Sequence, residues 1–257
     1  MMCRDVFYMN KSSDKWLLID NSNTRTKLVF ADSSGLCSEV YYLPTANLSE
    51  ELLHETIEYR SFSRVVVCSV VPCCHRIFSA AFQERVHFLT AESPMDMDFD
   101  YDGTSTLGAD RIANSLAVAD LCRGPVIAID AGTATTFDVV LHRDERSVYR
   151  GGVIAPGVDA FSSYLHHNTA QLPLVSVPSS CEPIGRNTIQ AIQAGSLYGF
   201  CGMVQGILSA IESGLTLRPE LVFTGGDAPL LLRHGNFNAG YEKYLTLYGL
   251  LHVARRL

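Results

Sequence analysis

Two segments about half a chain apart constrain this sequence most. Each is a short apolar run that ends in aspartate, crosses a turn of small and hydroxyl residues, and returns as a second β-compatible run. In the first, Trp16-Leu-Leu-Ile19 leads into Asp20-Asn-Ser-Asn-Thr24 and a return from Thr24 to Phe30. In the second, Val126-Ile-Ala-Ile129 leads into Asp130-Ala-Gly-Thr-Ala-Thr-Thr136 and a return from Thr135 to Leu141. Identity between them is weak, but the order of strand, aspartate, turn and strand is kept, which is how a duplicated domain reads. The boundary falls near residue 120. Either turn alone is an ordinary hairpin corner, for which aspartate, asparagine and glycine are default residues. Two of them, with Gly225-Gly226 after a third apolar strand, point to one cleft. Small residues let backbone N–H groups approach phosphate oxygens, hydroxyls add neutral donors, and strand-end aspartates supply hard oxygen ligands.

The remaining pattern is that of a mixed α/β chain. A third strand is expected near Leu36 to Leu43, and Asn47-Leu-Ser-Glu50 resembles a capping box opening a helix to about Arg60. Val65-Val-Val-Cys68 reads as a buried strand whose end, Ser69-Val-Val-Pro72, feeds a loop and helix. Ala91 to Gly103 reads as a loop, followed by a helix from about Leu107 to Cys122. A strand from Val148 to Ile154 precedes a helix after Pro156-Gly157, a loop from Gln171 to Gly185, and a long helix from Thr188 to Ile211. Gly195, Gly199, Gly202 and Gly206 share one face of that helix, each costing up to ~1 kcal/mol relative to alanine. Close packing against a helix of the same chain, or against the same helix of a second copy, would compensate. Strand Leu221 to Phe223, the turn Thr224-Gly-Gly-Asp-Ala228 and a helix from about Tyr241 to Arg256 complete the chain.

Composition narrows the partners. With 20 basic and 27 acidic residues, no basic field is available to grip a nucleic-acid backbone or an anionic membrane. The 8 cysteines are scattered without a C-x-x-C pair, so reduced, buried thiols are expected and no structural metal. Residues 1–15 carry charges throughout and read as a flexible extension, not a signal peptide. No later apolar run approaches the ~18 residues of a membrane span, and a soluble, cytoplasmic chain is expected.

The phosphate-loop signature G-x-x-x-x-G-K-[ST] and the dinucleotide fingerprint G-x-G-x-x-G are both absent. What is present is an ordered set: Asp20 to Lys27, Ser69-Val-Val-Pro72, Tyr101, Gly108-Ala-Asp-Arg111, Asp130 to Asp138, Gly151 to Gly157, Gly185-Arg-Asn-Thr188 and Thr224 to Ala228. In this set the sequence strongly resembles the type III pantothenate kinases, of the superfamily that joins acetate and sugar kinases, heat-shock chaperone ATPases and actin.

The resemblance implies an α/β fold of two ribonuclease H-like, actin-like ATPase half-domains, with mixed sheets flanked by helices and an ATP cleft between them. Residues 16–120 and 121–257 would form the two halves. It implies transfer of the γ-phosphate of ATP to the primary hydroxyl of pantothenate, the first step of coenzyme A synthesis, with Asp110 as general base. Tyr101, Gly108, Ala109, Asp110, Arg111 and Thr188 would bind pantothenate, Thr188 across a homodimer interface. Asp20, Asn21, Ser22, Asn23, Thr24, Arg25, Thr26, Lys27 and Thr133 would hold the nucleotide, with Lys27 open to the alternative of a solvated strand lysine. Asp20 would serve Mg2+, through water, and Asp130 a monovalent cation, K+ or NH4+. Two departures stand out: Ser22 replaces a glycine usual in the family, and Tyr101 is followed by Asp-Gly-Thr instead of the commoner Asn-Pro pairing. A kinase or phosphatase with another acceptor, and a non-catalytic regulatory paralogue, are the alternatives. Gly108 to Arg111 and Gly185 to Thr188 argue against the first, and retention of Asp20, Asp110, Asp130 and Thr133 against the second.

Overall fold

The computed structural model describes residues 15–58, 60–143 and 146–257. The extension expected over residues 1–15 lies outside them, apart from Lys15. The elements run β1 (Trp16–Asn21), β2 (Arg25–Asp32), β3 (Gly35–Leu36), β4 (Tyr41–Pro44), α1 (Glu50–Ile57), β5 (Arg64–Ser69), α2 (His75–Phe82), β6 (Val86–Phe88), β7 (Met97–Phe99) and α3 (Ala109–Leu121). They continue with β8 (Val126–Ala131), β9 (Ala134–Arg143), β10 (Arg146–Pro156), α4 (Val158–Asn168), α5 (Thr188–Ser213), β11 (Glu220–Thr224), α6 (Ala228–His234), β12 (Gly240–Tyr241) and α7 (Leu245–Ala254).

The strands form two sheets, ordered β3-β2-β1-β5-β6 with β4 also on β2, and β12-β11-β8-β9-β10-β7. The internal repeat is plain in their pairing. β1 is antiparallel to β2 and parallel to β5, and β8 is antiparallel to β9 and parallel to β11. Asp20 lies between Lys27 and Cys68, and Asp130 in the same way between Thr136 and Thr224.

Alternation along the strands then sorts side chains into layers. Leu17 and Ile19 face outward onto a core with Leu53, Phe78 and Phe82 of α1 and α2, whereas Leu18, Val66 and Cys68 face inward. Ile127, Ile129 and Phe137 face α5 and α6, and Val126, Ala128 and Val140 face inward. Between the sheets lie α3 and α7, packed on each other, α3 against β8 and β9 and α7 against β1 and β5. Asp20 and Asp130 share the parity of Leu18 and Ala128, so both carboxylates open toward this middle layer.

Several sequence expectations need correction. The third strand is split into β3 and β4, because the chain turns between them. The first helix is capped by Ser49, whose hydroxyl accepts the Leu52 N–H, and not by Asn47; it ends at Ile57. The loop expected between Ala91 and Gly103 contains β7, an edge strand of the second sheet. The final helix starts at Leu245, and Tyr241 instead pairs in β12. β6, α6 and β12 have no counterpart among the expected elements. Of the four glycines on α5, only Gly199 meets a neighbouring helix, where an added Cβ would lie 3.2 Å from Phe161 of α4; Gly195, Gly202 and Gly206 face open space. Among the described residues, α5 is also a helix long and apolar enough to cross a membrane, contrary to the reading of the sequence. Its Leu197, Phe200, Val204 and Leu208 are buried in the second core, which accounts for that apolarity. The seven cysteines among the described residues are free thiols.

Candidate active site

The first turn is built from below by a chain of buried hydroxyls and one amide. Asn21 Nδ2 donates to Thr26 Oγ1 at 2.8 Å, and Asn21 Oδ1 accepts from Ser69 Oγ at 2.7 Å. Thr26 and Thr45 share a hydrogen bond of 3.0 Å, and Thr45 Oγ1 donates to the Ser22 carbonyl at 2.7 Å. The side chains of Asn21 and Thr26 are thus consumed in supporting the turn and are not presented to a ligand. Ser22 does not adopt a positive φ, so serine carries no strain where the family resemblance led one to expect glycine. Its amide and its hydroxyl both donate to the Arg25 carbonyl, at 3.1 and 2.9 Å. Asn23, Thr24 and Arg25 form the exposed rim.

The second turn is closed by glycines from two other segments. A Cβ on Gly157 would lie 2.1 Å from the Gly132 carbonyl, so only hydrogen fits there. Gly225, at φ +91°, brings backbone against Asp130, where a Cβ would lie 2.5 Å from Oδ1. The Asp227 amide donates to the Ala131 carbonyl at 2.9 Å. The Gly225-Gly226 turn therefore meets the second aspartate turn, as the sequence pattern suggested. Thr133 is exposed at its tip.

Three carboxylates lie within electrostatic reach of one another. Asp20 Oδ2 is paired with Lys27 Nζ at 2.8 Å. Burial pulls the Lys27 pKa down, but Asp20 outweighs it and the net shift is upward. Lys27 is therefore held by Asp20 beside the first turn and is not a solvated strand lysine. Asp130 is pushed up to about 6 by burial, with the charges of Asp110 and Asp20 adding to the rise. Its Oδ2 accepts from Asn114 Nδ2 at 3.1 Å. Asp110 occupies the first turn of α3, where Gly108 leaves room for it: a Cβ at 108 would lie 2.6 Å from Asp110 Oδ1. Burial raises its pKa, the Arg111 amide opposes the rise, and the Asp20 charge adds to it. The N-terminus of α3 places the positive end of its dipole at the same point.

Beside Asp110 lies a second cluster. Arg111 is buried, and its Nε donates to Asp138 Oδ1 at 2.7 Å. The same oxygen accepts from Tyr149 Oη at 2.9 Å, and Thr136 Oγ1 donates to Oδ2 at 3.3 Å. Burial pulls the Asp138 carboxyl up, while the guanidinium and the Tyr149 hydroxyl pull it back. A bulge in β10 between Tyr149 and Gly151 lets the glycine pair fold over this group. A Cβ on Gly152 would lie 2.7 Å from Arg111 Nη2, and Tyr101 sits over Gly151 and edge-on to Tyr149, with ring centroids 5.4 Å apart. Tyr101, Gly108, Ala109, Asp110 and Arg111 are thus brought together. Thr188 is not among them: it is exposed at the start of α5, which packs on α4.

Asp138, Tyr149, Asn114 and Thr246 are site residues that the sequence reading did not single out. Asp138 had a signal, a carboxylate within an otherwise apolar strand. Thr246 had none.

A carboxylate on each sheet, facing the same middle layer with small-residue turns around them, can hold a polyphosphate and its cations. The comparisons agree with this geometry. The family model for type III pantothenate kinase matches residues 16–210. A type III pantothenate kinase from Akkermansia muciniphila is 40% identical over 91% of this chain and 96% of its own length. Another, from Methylacidiphilum infernorum, is 35% identical over 91% of this chain and 86% of its own. Among solved structures, a protein from Campylobacter jejuni described as a Baf family transcriptional activator superposes with a TM-score of 0.61 at 20% identity, covering 93% of this chain and 97% of its own. A glucokinase from an Antarctic psychrotroph superposes with a TM-score of 0.52 at 9% identity, covering 95% of this chain and 99% of its own. These structures show the shared fold, and the sequence matches show that the chain belongs to the type III pantothenate kinase family.

Proposed function

We propose that this chain transfers the γ-phosphoryl group of ATP to the primary hydroxyl of pantothenate, the first step of coenzyme A synthesis. The observation that carries this reading is the convergence of Asp20, Asp110 and Asp130 on one cleft beside the Arg111–Asp138 cluster, in a chain of this family. Phosphoryl transfer asks mainly for positioning and charge stabilisation. Asp110 is the general base, and its raised pKa improves it for a proton that it accepts late. Arg111 offers its terminal nitrogens to the pantothenate carboxylate while Asp138 fixes Nε, and Tyr101 bounds the pocket. Asn23, Thr24, Thr133 and the backbone of both turns face the phosphates.

The donor set suits the cations. Asp130 keeps Oδ1 against the Gly225 backbone, a hard-oxygen cradle fitting K+ or NH4+, and Asp20 offers the oxygen not taken by Lys27 to a magnesium-bound water. When bound, the cations neutralise charge on the phosphates. We further propose a homodimer in which the partner's copy of Thr188 completes the pocket, since within one chain Thr188 lies exposed at the start of α5, a helix that packs on α4. The exposed Ile184, Ile189 and Tyr198 and the uncovered glycine stripe support that interface. The half-domains divide near residue 120 along the chain, with β7 and α7 crossing to the other half.

The test is ADP release with and without pantothenate, in potassium and in sodium, for wild type and Asp110→Asn. Turnover independent of pantothenate would reject the substrate, and equal rates for the two proteins would reject the base.

A further inference from the structure

The C-terminal helix reaches Asp130 through a buried two-residue relay that the reaction scheme above does not use. Thr246, in the first turn of α7, donates from Oγ1 to Asn114 Oδ1 at 2.9 Å. Asn114, on α3, donates from Nδ2 to Asp130 Oδ2 at 3.1 Å. Thr246 and Asn114 are 5% and 1% exposed, so water is not on hand to replace either contact. The two helices are held in register at the same level, because a Cβ on Gly249 would lie 1.9 Å from the Ala113 carbonyl. One helical turn further along α7, His252 Nδ1 pairs with Asp120 Oδ2 at 2.8 Å.

An asparagine amide has one donor end and one acceptor end, and either could face the carboxylate. With the oxygen toward Asp130, two acceptors would meet in a buried space, at a cost comparable to an unsatisfied buried group. The carboxylate therefore selects the donor end, Nδ2, and the Thr246 hydroxyl, donating to Asn114 Oδ1, satisfies the other end and holds the amide in that plane. Holding Oδ2 restricts rotation of the carboxylate and leaves Oδ1, beside Gly225, as the oxygen that Asn114 does not engage.

We propose that Thr246 and Asn114 are positioning residues that orient the Asp130 carboxylate, so that α7 sets the geometry of the cation site from outside it. This rests on the placement of a monovalent cation at Asp130. Thr246→Val keeps the shape and removes the donor; Thr246→Ser keeps the donor and removes the methyl. Two measurements on the full-length protein separate this idea from the cation reading. One is the half-saturating potassium concentration for ADP release, read beside the potassium-induced rise in Tm. The other is hydrogen exchange of the Asn114 side-chain amide, assigned in the 15N spectrum by its loss in Asn114→Ser.

Thr246→Val is expected to raise half-saturating potassium about fivefold, the weight of one neutral hydrogen bond of about 1 kcal/mol, and to speed amide exchange by a similar factor. Thr246→Ser is expected to stay within about twofold of wild type in both, since the donor is kept. Unchanged amide exchange in Thr246→Val, or a Thr246→Ser protein that behaves like it, overturns the relay. A wild type indifferent to potassium in rate and Tm, with amide exchange moving as expected, leaves the relay standing and rejects the cation reading.

Discussion

Asp138→Asn isolates one charge in the most buried ionic group of the candidate site. Asparagine keeps an oxygen where Asp138 Oδ1 now accepts from both Arg111 and Tyr149, and its amide nitrogen, in place of Oδ2, can donate to the Thr136 hydroxyl, so the shape survives and the negative charge is the main loss. Asp138 is 0% exposed and Arg111 7%, and a guanidinium does not shed its proton in response. Breaking a buried pair in this way costs about 3–5 kcal/mol, which in a chain of this size is a fall in Tm of about 6–20 °C. The reverse change, Arg111→Met, is expected to be milder, because the stranded carboxyl can take up a proton. The double variant should recover most of the loss, since a buried pair replaced as a whole is often neutral. Thermal unfolding of the four proteins at pH 7, without ligands, gives the Tm values, and urea unfolding of the same set closes this double-mutant cycle. A Tm for Asp138→Asn within about 2 °C of wild type, under the ~1 kcal/mol level, or strict additivity in the double variant, would refute the reasoning.

Other consequences are equally direct. Gly249→Ala should destabilise the protein despite the ~1 kcal/mol that alanine gains in a helix, because its Cβ would lie 1.9 Å from the Ala113 carbonyl and drive α3 and α7 apart; thermal unfolding reads the sign. Ser22→Gly should lower stability by ~0.5–1.5 kcal/mol in chemical denaturation, by losing the Ser22 to Arg25 hydrogen bond, with the turn geometry kept. Asp130 carries a pH signature in the ligand-free protein. Its folded pKa, about 6, lies above the unfolded value, so the folded state binds the extra proton and the stability this brings is lost as pH rises from about 4 through 6. Asp130→Asn should therefore match wild type near pH 4 and exceed it by up to ~3 kcal/mol at pH 7, from about two pKa units; a gap that does not change with pH would contradict this.

The sequence by itself determined the repeat, the aspartate at the end of each leading strand, and the glycines that let three turns approach one point. These are local properties: strand parity, turn composition and the absence of a Cβ act over a few residues and can be read in order. Ser69-Val-Val-Pro72 and the Gly151-Gly152 pair were also visible, though their purpose was not. Only the tertiary structure decided which polar groups face the ligand and which are spent on each other. Asn21 and Thr26 look like phosphate donors in the sequence, yet they pair beneath the turn. Lys27 looked open and is tied to Asp20 seven residues earlier. Arg111 meets Asp138 on β9, and Thr246 meets Asn114 across 132 residues. The physical reason is that a buried polar group must find its partner wherever the fold places one. Strand order and helix packing set that place, here through an α3 and α7 that each pack on a different sheet, and neither is written in local periodicity.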